Sequence, residues 1–265
     1  MNEISNAIKI RARPTLREPN MLAAWPGISN VAIIVASYIA RKLEFKELAE
    51  VRAPYFFDPI GVMVRNNMVE EPQFPQSRFY YWKNPEGSDV IIFMGDAQPS
   101  SGSYDLANCI VDAAMRFKVK RIYTCAAAIT RIHHTEEPRV WGVGTTASVV
   151  KELSGHGLVQ GGNLQIAGMN GILLGVAKER KIEGACLLGE VPNYTTRLHN
   201  PMAALAIVQV LSGMLGIKPD YTELRVVATE AREKMKQIAA EAMEEYIDYF
   251  TEPIWERGED ESEEE

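Results

Sequence analysis

The chain has 265 residues, 46% hydrophobic and 24% charged, a globular balance with room for one large α/β domain or two small ones. No apolar run reaches membrane-spanning length and the opening MNEISNAIKIRARP lacks a signal-peptide core, so a cytoplasmic protein with no membrane partner is expected. The net charge of −7 sits mostly between Glu256 and Glu265, and the nearly neutral body has no basic stripe, which argues against nucleic acid as a partner.

Residues 1–19 read as an extended arm, because Pro14 and Pro19 cannot sit inside a helix. Met21 to Trp25 reads as a first strand closed by Pro26-Gly27. Ser29 or Asn30 then caps a helix whose Val31, Ile34, Val35, Tyr38 and Ile39 recur at helical spacing. A second strand is expected around Val51 to Phe57. From Gly61 to Trp82 the β-like pieces Val62–Arg65 and Arg78–Trp82, the Asn66-Asn67 turn, Pro72 and Pro75 suggest an antiparallel hairpin region at one side of the sheet.

Asp89 to Met94 is a central strand ending at Gly95-Asp96, and Ser103 caps the helix that follows. Arg121 to Ala127 and Val140 to Val143 are further strands. Thr146 to Leu153 is a short helix with Gly155 as its left-handed cap. Leu164 to Glu190 then reads as strand, glycine turn, helix and strand. Such a βαβ unit would place Gly168-Met169-Asn170-Gly171 and Gly189-Glu190 on the ligand-binding edge of a parallel sheet. Asn200-Pro201 starts another helix, and Asp220-x-x-Glu223 is a capping box for a long final one. Its apolar stripe, Leu224, Val227, Ala231, Met235, Ile238 and Ala242, should pack on the body or a twin subunit. One domain over 20–250, followed by an acidic tail at 251–265, is the expected organisation.

Cys109, Cys125 and Cys186 lie in apolar segments without metal spacing and read as buried free thiols. A Cys125–histidine pair with His133 or His134 would need an exposed thiolate, which an apolar strand does not provide. His156 and His199 lack partners at metal spacing. Neither a nucleophile elbow nor a Walker loop is present. No metal or cofactor is expected.

Several segments together resemble the proteasome assembly chaperone 2 family, in its prokaryotic branch. They are Gly27-x-x-Asn30, Gly95-Asp96-Ala97-Gln98-Pro99, Gly168-Met169-Asn170-Gly171, Glu190-Val191-Pro192-x-Tyr194 and Leu215-Gly216-Ile217, over roughly residues 20 to 230. The resemblance implies a three-layer α/β/α fold like that of nucleoside phosphorylases, with a mostly parallel sheet, and homo-oligomers. It implies an assembly-chaperone role with a protein client. Members that dock on the proteasome α-ring end in a hydrophobic-Tyr-any tripeptide, whereas this sequence ends Glu263-Glu264-Glu265.

Two functions follow as expectations. The first is a non-enzymatic oligomeric scaffold or assembly chaperone. The second is a small-molecule protein, or a hydrolase or phosphorylase, that holds a nucleoside- or phosphate-bearing ligand in a crevice at the strand ends. Its candidate contacts are Asn30, Gly95, Asp96, Gln98, Gly168, Asn170, Gly171, Glu190, Tyr194 and Arg197. In that reading the Gly168–Gly171 turn offers N–H groups to an anion, while Asp96 and Glu190 act on a ribose or as acid and base. The alternative for each is structural: a tight turn, or a carboxylate that satisfies loop amides.

Overall fold

Strand β2 (Asn20–Ala24) divides the core in two, because successive side chains of a strand point to opposite faces. Leu22 and Ala24 join one apolar cluster, Met21 and Ala23 the other. The computed structural model describes residues 7–251. Helices α1 (Val31–Lys42) and α5 (Pro201–Leu215) pack on the first face, and α2 (Ser103–Arg116) and α4 (Gly168–Glu179) on the second. This is the expected α/β/α arrangement.

The remaining strands of the main sheet are β1 (Ile8–Ile10), β3 (Lys46–Val51), β6 (Ser77–Trp82), β7 (Val90–Gly95), β8 (Arg121–Thr130), β9 (Val140–Gly144) and β10 (Glu183–Pro192). The eight-stranded order is β1-β3-β6-β7-β2-β8-β10-β9. At its centre β7, β2, β8 and β10 run parallel, while β1, β3, β6 and β9 join the flanks by antiparallel pairing. Strands β2, β7 and β10 are almost continuously buried, as helices on both faces require, while β8 is buried only over its first half.

Several boundaries differ from expectation. The second strand ends at Val51 and gives way to a short 3₁₀ turn at Ala53–Tyr55, because Pro54 cannot donate to a ladder. Residues 8–10 of the arm form an edge strand paired with β3. Val64–Arg65 (β4) pairs with Met68–Val69 (β5) across Asn66-Asn67, both at positive φ as a tight hairpin requires. Residues 77–82 instead join the main sheet. The first residue of α2 is Ser103; its N-cap is Gly102, in the left-handed region. Helix α3 (Ala147–Gly155) includes Gly155, and the positive φ falls on Gly157; Thr146 caps its start by accepting from the Val149 N–H.

The largest correction concerns the expected βαβ unit at Leu164–Glu190. Leu164 to Ala167 is not a strand, and Gly168-Met169-Asn170-Gly171 is the first turn of α4 rather than a turn before it. Three apolar residues around Gln165, followed by glycine, have no strand neighbour here. The parallel partner of β10 is β8, so the crossover runs from β8 through β9, α3 and residues 156–167 before α4 returns to the sheet.

The final helix, α6 (Thr222–Thr251), packs through Leu224, Ala228 and Met235, while Val227 and Ile238 are exposed. The Ala242 side chain and the tail from residue 252 lie outside the described residues. Asp220 accepts from the Thr222 N–H and hydroxyl, but Glu223 does not close a capping box. It pairs with Arg41 and Lys42 of α1, which draw its carboxyl down to about 2. A second tie is Tyr38, whose hydroxyl donates to the Asp220 carbonyl at 2.6 Å and accepts from the Leu224 N–H at 3.3 Å. Replacing Tyr38 with Phe leaves that carbonyl and N–H without their partner. It should lower stability by about 1–2 kcal/mol, read as a lower urea midpoint with an unchanged slope.

Candidate functional site

The carboxyl ends of β2 and β8 meet where the connections of the sheet diverge. After β2 the chain passes through α1 to strands on one side, and after β8 it proceeds to β9 and β10 on the other. Open α/β sheets form crevices at such switch points. Here a cavity of about 700 Å³ is lined by Gly27 and Ile28 beyond β2, by Ala126 to Thr130 of β8, and by the start of α4. Residues 161–166 form its outer wall and also border a second cavity of about 720 Å³ beside β9.

Gln98 locks the rim. Its carboxamide donates to the Pro26 carbonyl at 2.7 Å and accepts from the Met169 N–H at 2.9 Å, tying the loops after β2 and β7 to the first turn of α4. Gly168 has φ +71, and a Cβ there would collide with the Gln98 carboxamide oxygen. Gly95 is similarly constrained, since a Cβ would lie 2.6 Å from the buried Trp25 ring. Both glycines permit close packing at the rim.

Among the sequence candidates, Gln98, Gly168 and Asn170 line the first cavity, and Gly171 lines the second. Asp96 and Glu190 do not meet. Strands β2 and β8 separate their strands, a span of about 14 Å at ordinary strand spacing. Asp96 accepts from the Gln76 N–H at 3.2 Å and so closes the entry to β6.

Glu190 lies within β10 rather than beyond its end, and its side chain is 1% exposed. It accepts from the Arg139 backbone N–H at 3.1 Å, from the Arg139 guanidinium at 3.1 and 2.8 Å, and from the Trp141 indole N–H at 3.1 Å. Burial alone would push this carboxyl up; the donors from Arg139 and Trp141 outweigh it and hold the group below the usual carboxylate range. With all these donors engaged, it is a structural anchor. Asn30 is the N-cap residue of α1, in the left-handed region; its side chain accepts no capping hydrogen bond, and its carboxamide nitrogen lies 2.8 Å from His199 Nε2. The Tyr194 hydroxyl accepts from the His134 N–H at 3.0 Å and lies 2.9 Å from His134 Nδ1. Arg197 is exposed and does not line the cavity.

Cys109, Cys125 and Cys186 are free and buried. Burial pushes all three thiols up, Cys109 and Cys186 to about 12, so none is a ready nucleophile. Sequence reasoning missed Arg139, Trp141 and the alanine row Ala126–Ala128. Nothing local marks them, because their roles depend on β9 folding back antiparallel on β10 and on β8 ending at the switch point.

The PAC2 family profile matches residues 21–239. PbaB of Pyrococcus furiosus, an archaeal proteasome activator, is 28% identical with a TM-score of 0.76, and the match covers 88% of this chain and 98% of that one. PbaA of the same organism, an archaeal homolog of proteasome-assembly chaperone, has the same fold at 24% identity and a TM-score of 0.67, over 90% and 99% of the two chains. An uncharacterized protein of Methanocaldococcus jannaschii is 27% identical over 222 residues, 82% of this chain and 81% of its own. With that profile matched from residue 21 to residue 239, this chain belongs to the PAC2 family.

Proposed function

We propose that this chain is a protein-docking scaffold, a homo-oligomer that assists the assembly or activation of a proteasome-type partner. The likeness to PbaB and PbaA supports the class of partner. The observation that carries the reading is the β4–β5 hairpin. Ile60, Val64, Met68 and Val69 are 72%, 61%, 68% and 70% exposed, and Val62 and Met63 beside them are also exposed. The hairpin forms a sheet of its own, apart from the main sheet. A two-stranded hairpin is marginal alone in water, and exposed apolar residues gathered on and beside it mark a contact surface.

Tagged full-length protein, purified gently from its native host beside a Val64→Glu/Val69→Glu variant, tests the proposal. Proteasome subunits should be enriched with the wild type and depleted with the variant. Light scattering of the two samples should show a mass above that of a monomer for the wild type and a lower one for the variant. Equal recovery of no proteasome subunit from both samples would overturn the reading.

A further inference from the structure

Strand β9 ends the main sheet, and its free edge is only partly covered. The Arg139 carbonyl accepts from the Glu190 N–H and the Thr145 N–H donates to the Gly184 carbonyl, so the odd-numbered residues here turn their backbone groups towards β10. Val140, Gly142 and Gly144 therefore face outward. Val159, running parallel to β9 opposite Trp141, covers the first part of that edge. Its N–H donates to the Val140 carbonyl at 2.8 Å and its carbonyl accepts from the Gly142 N–H at 3.0 Å. The next pair, the Gly142 carbonyl and the Gly144 N–H, has no hydrogen-bond partner among the described residues.

The residue placed to serve both is two positions beyond Val159. By the register that Val159 sets, Gly161 would lie opposite Val143. Instead Gly161 and Gly162 turn away at φ +113 and +78. Residues 161–166 make no backbone hydrogen bond among the described residues. The stretch is anchored at its ends: the Gln160 carboxamide donates to the Val150 carbonyl at 2.7 Å, and Ile166 packs against Leu174, Cys186 and Leu188. Between these anchors Leu164 is 46% exposed. Edge strands are commonly blunted by charge or proline, and Val140–Gly144 carries neither.

We propose that residues 161–165 are a strap with two positions, independent of the hairpin. In the position seen here the strap stands off β9 and separates the cavity of about 720 Å³ from the one at the switch point. In the other, Gly161 extends the pairing that Val159 begins, giving its N–H to Gly142 and accepting that of Gly144. Ile166 stays in place, because it already packs on Cys186, the residue paired with Val143. Zipping fills the cavity beside β9 and withdraws Gly161, Gly162 and Asn163 from the wall of the switch-point cavity, so the two cavities open in opposition. Two hydrogen bonds favour the zipped position and glycine's backbone freedom the released one; both are modest, so neither position excludes the other.

Hydrogen–deuterium exchange of the full chain, resolved to single amides by electron-transfer fragmentation, reads the strap's position. Nothing lies within 4 Å of an added Cβ at Gly161 or Gly162, so Gly161→Val/Gly162→Val meets no neighbour and acts by disfavouring the positive φ. It should slow exchange of the Gly144 N–H roughly tenfold relative to wild type. The Gly142 N–H, already held by Val159, should change little. Access to the switch-point cavity is read by maleimide labelling of Ala128→Cys, since Ala128 lines that cavity and the three native thiols are buried. Labelling should be several-fold faster in the valine background.

A second variant holds the strap covalently. Val143→Cys with Gly161→Cys puts two thiols on facing residues of neighbouring strands in the zipped position, about 4.8 Å apart at Cα and within disulfide reach. Oxidised glutathione should close the bond in the folded protein, the two thiols giving up two hydrogens as glutathione is reduced. Closure should slow Gly144 exchange as the valines do, and dithiothreitol should restore it. Failure of the disulfide to form overturns the proposal, and decides the matter alone if the valine variant does not fold. So does Gly144 exchange at the wild-type rate in the folded variants. Protection of Gly144 with unchanged labelling of Ala128→Cys would show that the strap does not govern the switch-point cavity, and overturns it equally.

Discussion

Replacing Arg139 with Met should lower stability at neutral pH, because it leaves a buried carboxylate without its guanidinium partner. Arg139 is 67% exposed, so water and salt already screen its charge and the loss should be smaller than for a pair buried on both sides. Its partner sets the remaining cost. The Glu190 side chain is 1% exposed, and the variant would leave it only the Arg139 backbone N–H and the Trp141 indole.

The pH dependence identifies the cause. In the wild type Glu190 is held below the ordinary carboxylate range. Its contribution is therefore present above the unfolded value and lost as pH falls through the folded one. In the variant, burial is no longer opposed by the guanidinium, and the carboxyl should move up. A buried acid raised in this way destabilises most at high pH and least once protonated. The gap between wild type and variant should thus be widest near pH 7 and shrink towards about pH 4–5, the ordinary glutamate range. Urea denaturation at several pH values measures it. A gap constant across that range would mean that Glu190 does not respond to Arg139 and that the loss is one of packing.

The sequence revealed the parallel centre and concealed the rim. Runs such as Val90–Met94 and Ala185–Leu188 are apolar without alternation, and this alone marks strands covered on both faces. Leu164–Ala167 is mostly apolar too, but it contains Gln165 and has no neighbour to pair with, so local pattern misread it. Periodicity reports what a segment can bury and says nothing of which strand lies next to it. Gln98, Gly168 and Asn170 were legible because loops that follow strands and precede helices converge at switch points. Asp96 and Glu190 had the same credentials. Only coordinates show that Gln76 and Arg139 occupy them. The pairing of Glu190 with Arg139 spans 51 residues and depends on antiparallel β9, a contact no sequence spacing encodes.

Gly171 and Gly175 lie one turn apart in α4, yet alanine should act on them in opposite directions. By helix propensity both changes are favourable, by up to about 1 kcal/mol each. At Gly175 nothing lies within 4 Å of an added Cβ, so Gly175→Ala should realise that gain. At Gly171 a Cβ would overlap the Ile166 carbonyl oxygen and lie 2.8 Å from its carbon and 3.1 Å from the Ile166 Cβ. Most of these atoms are backbone, so no rotamer change relieves the contact. Overpacking of this kind costs about 1–3 kcal/mol, and after the propensity gain Gly171→Ala should be destabilising by about 1–2 kcal/mol. Because Ile166 lines both rim cavities, relief requires residues 164–167 to move outward and loosen the wall they share. Thermal melts of the two variants decide the matter. Equal stabilisation by both would show that residues 164–167 are not held against α4, and that the cavity wall they form is not fixed.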